Sequence, residues 1–144
     1  MSTEDNKALV RNFYEEVFNK KNLTYVDEFV APNGIDHGVP PGMLSDSEGS
    51  KLFIGMYLTA FPDLHLTVED LVAEGDRVTS RWTSHGTHRG ELMGIPPTGK
   101  QMTVTGIEIY RFEGGKSAEH WLNMDTFGML QQLGVIPVPE QARS

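Results

Sequence analysis

The sequence contains no cysteine among its 144 residues, which excludes a disulfide framework, a thiol nucleophile and thiolate metal ligands. It has no run of 18 apolar residues, so it predicts no transmembrane helix. Residues 1–5 are polar and acidic, unlike a secretory signal. The 12 Lys and Arg are outnumbered by 20 Asp and Glu, which argues against a nucleic-acid partner. We therefore expect a cytoplasmic protein that acts on a small molecule or on another protein.

The composition is that of a folded domain. Apolar residues make up 38% of the chain and charged residues 22%, which is ordinary for a globular protein and too apolar for a disordered one. A chain of this length fits one domain. We assign that domain to residues 1–135. Residues 136–144, which have two prolines and no pattern, are expected to form a loosely held C-terminal tail.

Helical periodicity dominates the first half of the chain. Apolar side chains recur at helical spacing in residues 9–18, 26–30 and 52–61, which predicts three helices. Ser2 or Thr3 is a suitable cap for the first helix and Thr24 for the second, and the third begins near residues 45–47. The segment 31–46 contains three prolines and three glycines and has no period, so it is predicted to be a loop.

From residue 64 onward the period changes to two, which predicts strands. The first strand begins at residue 64, the second covers residues 77–88, the third 102–112 and the fourth 118–124. A short helix follows as far as residue 133. Three helices followed by a strand meander predict an α+β fold, with the helices packed on one face of a curved antiparallel sheet. A cavity between the two layers is the expected place for function.

Several motifs together resemble a known family. They are residues 6–18 (NKALVRNFYEEVF), Asp36-His37, residues 60–63 (AFPD), 74–78 (EGDRV), 86–88 (GTH), 94–100 (GIPPTGK), 119–121 (EHW), Asp125 and 131–134 (QQLG). Over residues 6–134 the chain resembles the SnoaL-like polyketide cyclase, or ester cyclase, family of the nuclear transport factor 2-like superfamily. The resemblance implies a cone-shaped α+β fold. It says less about function, because this cone hosts cyclases, isomerases, hydrolases and binding domains.

The cyclases of this family close a ring by an intramolecular aldol reaction without metal or cofactor. A base removes a proton from an activated carbon, and an acid protonates the carbonyl oxygen that is attacked. One carboxyl group in a partly apolar pocket serves both purposes, and a His or Tyr can stabilise the enolate. The resemblance thus implies no cofactor, a small and mostly apolar carbonyl-type substrate, and a homodimer paired through sheet faces.

Strand parity restricts which side chains share the cavity. The sequence alone leaves open which face is concave, because a bulge would switch the parity partway along a strand. The family, whose acid/base carboxylate and its His partner lie on the last two strands, favours one assignment. The side chains placed inside by it are Trp82, Glu108, His120, Leu122 and Met124.

Glu108, His120 and Asp125 are the predicted catalytic residues. Many relatives carry an Asp directly after Glu-His-Trp, and that Asp is their best candidate for the acid/base. Leu122 stands there in this chain, so Glu108 or Asp125 would have to replace it. Asp125 also suits a helix N-cap, and His120 also suits a packed core position. The alternative is therefore a non-catalytic ligand-binding or dimerisation domain of the same fold.

The remaining candidates are substrate-binding residues. They are Tyr14, His37, Trp82, His88, Leu122 and Met124. Asp36-His37 lies in the predicted loop, and loops at a cavity mouth often carry binding residues. His85 and His88 are three residues apart on a strand and face opposite sides, so we predict no metal site there.

Overall fold

The structure is a computed structural model and describes residues 1–139. The helices are α1 (Thr3–Phe13), continued by a π-helix (Tyr14–Asn19), then α2 (Tyr25–Phe29), α3 (Ser47–Ala60) and α4 (Thr126–Gln132). The strands are β1 (Val30–Asp36), β2 (His65–Glu74), β3 (Arg77–Thr87), β4 (Gln101–Glu113) and β5 (Lys116–Met124). The predicted tail over 136–144 lies outside the described residues from 140 onward.

The first helix begins at a capping box. The Ser2 hydroxyl accepts a hydrogen bond from the Asp5 N–H at 3.0 Å, and the Asp5 carboxylate accepts one from the Ser2 N–H at 3.1 Å. The bonds satisfy backbone donors that a helix N-terminus otherwise leaves free. At the other end, the Asn19 side chain bonds the N–H and C=O of Leu66, which fixes the π-helix against β2.

The five strands form one mostly antiparallel sheet in the order β1-β5-β4-β3-β2. Strands β2 to β5 make the predicted meander, whereas β1 pairs in parallel with β5 at the sheet edge. The prediction of a loop over 31–46 is therefore wrong for residues up to Asp36. An edge strand tolerates Pro32, which has no N–H to give to a ladder, and the register of β1 is irregular between Val30 and Ile35.

Alternation along β3 and β4 decides where the core lies. Their side chains are buried and exposed in turn, and the buried face packs under the helices. Phe13 of α1 stacks on Phe29 of α2 at 4.0 Å between ring centroids. The Phe29 ring in turn meets Tyr110 edge-on at 5.4 Å. These aromatic contacts join the helices to β4 and hold the two layers around the site.

Within residues 1–139, no helix has the length and apolar character that a membrane crossing requires.

Candidate active site

A mostly apolar cavity lies between the inner face of the sheet and the helices. Its walls include aromatic side chains such as Phe18, Phe53 and Trp82, together with Met102 and Met124. Four polar side chains that line it form one connected cluster. They are Asp36 of β1, Ser50 of α3, Glu108 of β4 and His120 of β5.

The Glu108 carboxylate lies at the centre of this cluster and is 7% exposed. The Tyr14 hydroxyl and the Trp82 indole N–H each donate to its Oε2 at 2.6 Å. His120 Nε2 lies 2.5 Å and the Tyr110 hydroxyl 3.1 Å from its Oε1. Its neighbours therefore come from α1's π-helical continuation and from three successive strands of the sheet.

His120 lies between two carboxylates. Its Nε2 faces Glu108, and its Nδ1 lies 2.8 Å from Asp36 Oδ1. The pairing of β1 with β5 causes this contact, because Asp36 and His120 are register partners. Asp36 is held further by the Ser50 hydroxyl, which donates to Oδ2 at 2.6 Å, and by the Gly38 N–H, which donates to Oδ1 at 2.7 Å.

The surroundings of the cluster favour a charged imidazole. Burial opposes the charge on His120, but the hydrogen bonds to Asp36 and Glu108 outweigh it and raise the pKa of His120 to about 10. Burial likewise opposes the charge on Asp36, yet the hydrogen bond and charge of His120 lower the pKa of Asp36 below its usual value. At neutral pH, His120 is thus an imidazolium that donates to both carboxylates.

The two tyrosines beside Glu108 stay protonated. Burial, reinforced by the negative charge of Glu108, raises the pKa of Tyr14 and the pKa of Tyr110 well above 10. A neutral phenol donates its one hydrogen. Tyr14 donates to Glu108, and the Tyr110 hydroxyl lies 3.1 Å from both Glu108 Oε1 and the Tyr14 oxygen, to one of which it donates.

The structure brings together all five residues that the sequence analysis places inside the cavity. Trp82, Leu122 and Met124 line the cavity with Glu108 and His120. The catalytic and binding roles assigned to these residues remain predictions.

Asp125 lies elsewhere. Its carboxylate accepts the Gly128 N–H at 3.0 Å and caps α4, and it is not among the residues that line the cavity. The structure therefore does not join Asp125 to Glu108 and His120.

Three predicted substrate-binding residues lie outside the cavity lining. Tyr14 is buried behind the wall and contacts the site through the carboxylate of Glu108 and the hydroxyl of Tyr110. His37 lies at the opposite face of the sheet, where its ring stacks on Trp121 at 5.3 Å and its Nε2 lies 2.7 Å from Glu119. His88 is fully buried, and its Nδ1 accepts the backbone N–H of Thr98 at 3.2 Å, so it supports the loop after β3.

The list of predicted catalytic and binding residues left out three members of the site. Tyr110 shares the parity of Glu108 two residues earlier, which was a usable signal. Asp36 precedes His37, and in a strand one of two successive side chains must face the cavity. Ser50 lies in the first turns of α3 and gave no signal. Among residues 1–139, no three His, Asp or Glu side chains are grouped so as to hold a metal ion.

Comparison with known proteins agrees with the fold. The family model for SnoaL-like polyketide cyclases matches residues 8–133. Nogalonic acid methyl ester cyclase of Streptomyces nogalater is 27% identical over 123 residues, which cover 81% of this chain and 89% of that protein.

Two solved structures superpose closely on the chain. TsrD from Streptomyces laurentii has a TM-score of 0.85 at 30% identity and covers 94% of this chain and 99% of its own. AclR from Streptomyces galilaeus has a TM-score of 0.85 at 33% identity and covers 96% of this chain and 91% of its own. The family model matches most of the chain, and the solved structures share its fold: this chain belongs to the SnoaL-like polyketide cyclase family.

Proposed function

We propose that this protein is a cofactor-independent enzyme that performs general acid/base catalysis on a small, mostly apolar carbonyl compound. The supporting observation is the hydrogen-bonded series Asp36–His120–Glu108 inside an apolar cavity. The reaction is an intramolecular aldol cyclisation of the polyketide cyclase type. An isomerisation or a hydrolysis catalysed by the same cluster is a variant of this proposal.

The chemistry follows from the position of the charges. A carboxylate in the cavity takes a proton from a carbon next to a carbonyl group, and the enolate attacks a second carbonyl carbon. The His120 imidazolium lies within the cluster, where low polarity strengthens its effect on the negative charge that develops. The aromatic walls suit a flat, apolar substrate. The name of the nogalonic acid methyl ester cyclase suggests nogalonic acid methyl ester as the first compound to test.

Leu122 fits this proposal through its place in the sheet. It is the cross-strand partner of Glu108 and lines the cavity beside it. An apolar side chain there keeps water from the carboxylate cluster. In this chain the acid/base function that relatives place on β5 would then depend on β1 and β4.

Substitution of Glu108 tests the proposal. Glu108→Gln keeps the shape of the side chain and removes its charge, so we expect turnover to fall by at least about 100-fold. Nogalonic acid methyl ester is the probe, with product separated by chromatography. Glu69→Gln removes one charge from an exposed position of β2 and is the matched control. Full activity in Glu108→Gln, or loss of activity in Asp125→Asn instead, would show that the assigned site is wrong.

One observation favours the alternative of a ligand-binding domain without catalysis. Four protein groups already surround the Glu108 carboxylate, as in a cluster that serves only stability. Under this alternative, calorimetry detects binding of the probe by the wild type, but no conversion above the buffer rate occurs at any pH.

We also propose a homodimer formed through the outer face of the sheet. Val72 and Ile107 are 66% and 50% exposed there, and Arg77 lies over the Trp121 ring at 5.2 Å. Apolar and aromatic side chains with a flanking Arg are typical of interface cores. Light scattering at micromolar concentration should give twice the monomer mass, and Ile107→Glu should return the monomer. A monomeric wild type would end this proposal.

A further inference from the structure

The two carboxylates of the site differ in how far their oxygens are already occupied. A carboxylate offers about four acceptor positions. Around Glu108, the groups of Tyr14, Trp82, Tyr110 and His120 lie within 3.1 Å of its two oxygens. The Tyr110 hydroxyl is equally close to the Tyr14 oxygen, but it occupies its side of Oε1 whichever bond its hydrogen makes. No side of Glu108 remains for a substrate.

Asp36 is less occupied. Its Oδ1 accepts from His120 Nδ1 and from the Gly38 N–H, whereas its Oδ2 accepts only from the Ser50 hydroxyl. One acceptor position of Oδ2 is therefore free among the contacts of the described residues. Asp36 also lines the cavity, and its side chain is 13% exposed. A reacting C–H that approaches this oxygen would not have to displace a protein donor.

We propose that Asp36 is the catalytic base that removes the proton from the activated carbon of the substrate, and that Glu108 is a positioning residue that holds His120. This inference rests on the proposed function and identifies which carboxylate performs it. Its physical basis is the difference in free acceptor positions, together with the location of both groups in one cavity. The favoured substrate has a C–H acidified by two neighbouring carbonyl groups, since a carboxylate is a weak base.

Asp36 alone both accepts and returns the proton in this reaction. The C–H bond breaks, its proton forms an O–H bond on Oδ2, and its electron pair becomes the enolate. The enolate carbon forms a C–C bond to the second carbonyl carbon, whose oxygen becomes an alkoxide. The protonated Asp36 then returns its proton to this alkoxide, so no other reactant is needed and His120 keeps both its protons.

The electrostatic surroundings suit this role. The titratable groups that face Asp36 are His120 of β5 and, beyond it, Glu108 of β4. From α3 only the neutral Ser50 hydroxyl contacts it, and His37 turns to Glu119 at the opposite face. Asp36 is thus ionised and ready at neutral pH, because the imidazolium beside it lowers its pKa. Glu108, on the far side of the ring, keeps the imidazolium fixed.

A proton-exchange assay tests the assignment without requiring ring closure. The enzyme is incubated in D₂O with nogalonic acid methyl ester, and incorporation of deuterium at the activated carbon is followed by mass spectrometry against pH. Asp36→Asn, Glu108→Gln and Ser50→Ala are compared. Circular dichroism and urea denaturation confirm that each variant is folded at the assay temperature.

The Ser50→Ala variant tests most directly whether Asp36 is the group that titrates in the exchange profile. Loss of a hydrogen bond to a charged carboxylate raises its pKa, so the acid limb of the exchange profile should move upward by about one to two pH units. Asp36→Asn should exchange at the buffer rate at every pH. Glu108→Gln should exchange more slowly than the wild type, yet its rate should still rise with pH through a single ionisation.

Other outcomes separate this inference from the proposed function. If Ser50→Ala leaves the acid limb unchanged, or if Asp36→Asn keeps the exchange that Glu108→Gln loses, Asp36 is not the base, while acid/base catalysis by the cluster stands. If the wild type neither exchanges nor cyclises the probe above the buffer rate, the proposed function fails and this inference fails with it.

Discussion

The charge on His120 should make the protein less stable as the pH rises above neutrality. The pKa of His120 is raised to about 10 in the folded protein from its ordinary value of 6.5. Between these two values the folded chain keeps a proton that the unfolded chain has released. Stability from this proton is fully present below pH 6.5 and is lost as the pH rises toward 10.

The size of the effect follows from linkage. One proton difference changes the free energy of unfolding by about 1.4 kcal/mol per pH unit. Between pH 7 and pH 9 the protein should therefore lose roughly 3 kcal/mol of stability through His120 alone. That amount is large compared with the total of about 5–15 kcal/mol that is usual for a domain, so it is measurable above the error of a denaturation curve.

Urea denaturation at pH 7, 8 and 9 and constant ionic strength measures this slope, with Trp fluorescence as the probe. His120→Gln is the matched variant: it should be less stable at pH 7 but nearly independent of pH over this range. Proton NMR of the histidine ring hydrogens gives the pKa directly. Equal stability of the wild type at pH 7 and pH 9, or a His120 resonance that titrates near 6.5, would refute the charged-imidazole assignment.

Two further predictions concern packing and capping. A Cβ at Gly106 would lie 2.3 Å from the Trp82 ring, so Gly106→Ala should lower the free energy of unfolding, measured with urea, by about 1–3 kcal/mol. Gly55 of α3 has space for a Cβ, so Gly55→Ala should raise the same free energy by about 0.5–1 kcal/mol. Equal effects of the two variants would contradict the close approach of Trp82. Asp125→Ala should cost about 1 kcal/mol through loss of the α4 cap while Asp125→Asn costs almost nothing, and a large loss in Asp125→Asn would show that its charge matters beyond capping.

Much of the fold could be predicted because its signals are local. The alternation of β3 and β4 is present in the sequence itself, since one face of each strand is buried and the other is solvated. The N-termini of α1 and α4 could be predicted from Ser2 and Asp125, whose side chains cap them. These features need no knowledge of distant contacts.

Strand β1 could not be predicted for the opposite reason. It contains Pro32 and Gly34 and has no alternation, and it is a strand only because β5, some 84 positions farther along the chain, pairs with it. The site depends on that pairing, so sequence reasoning chose His37 of the Asp36-His37 pair and missed its neighbour. Ser50 could not be predicted either, because its hydrogen bond to Asp36 depends on how α3 packs against β1.

The edge position of β1 has a consequence for how the protein would lose activity. Strand β1 pairs with β5 at fewer positions than any other two neighbouring strands pair, and its register is irregular, so it opens more easily than the meander beside it. Opening of β1 alone would carry Asp36 away from His120 while the aromatic core stays intact. The contact between Asp36 and His120 is therefore stabilised by a smaller free energy than the fold as a whole, and under the proposed function activity would be lost on heating before the protein unfolds.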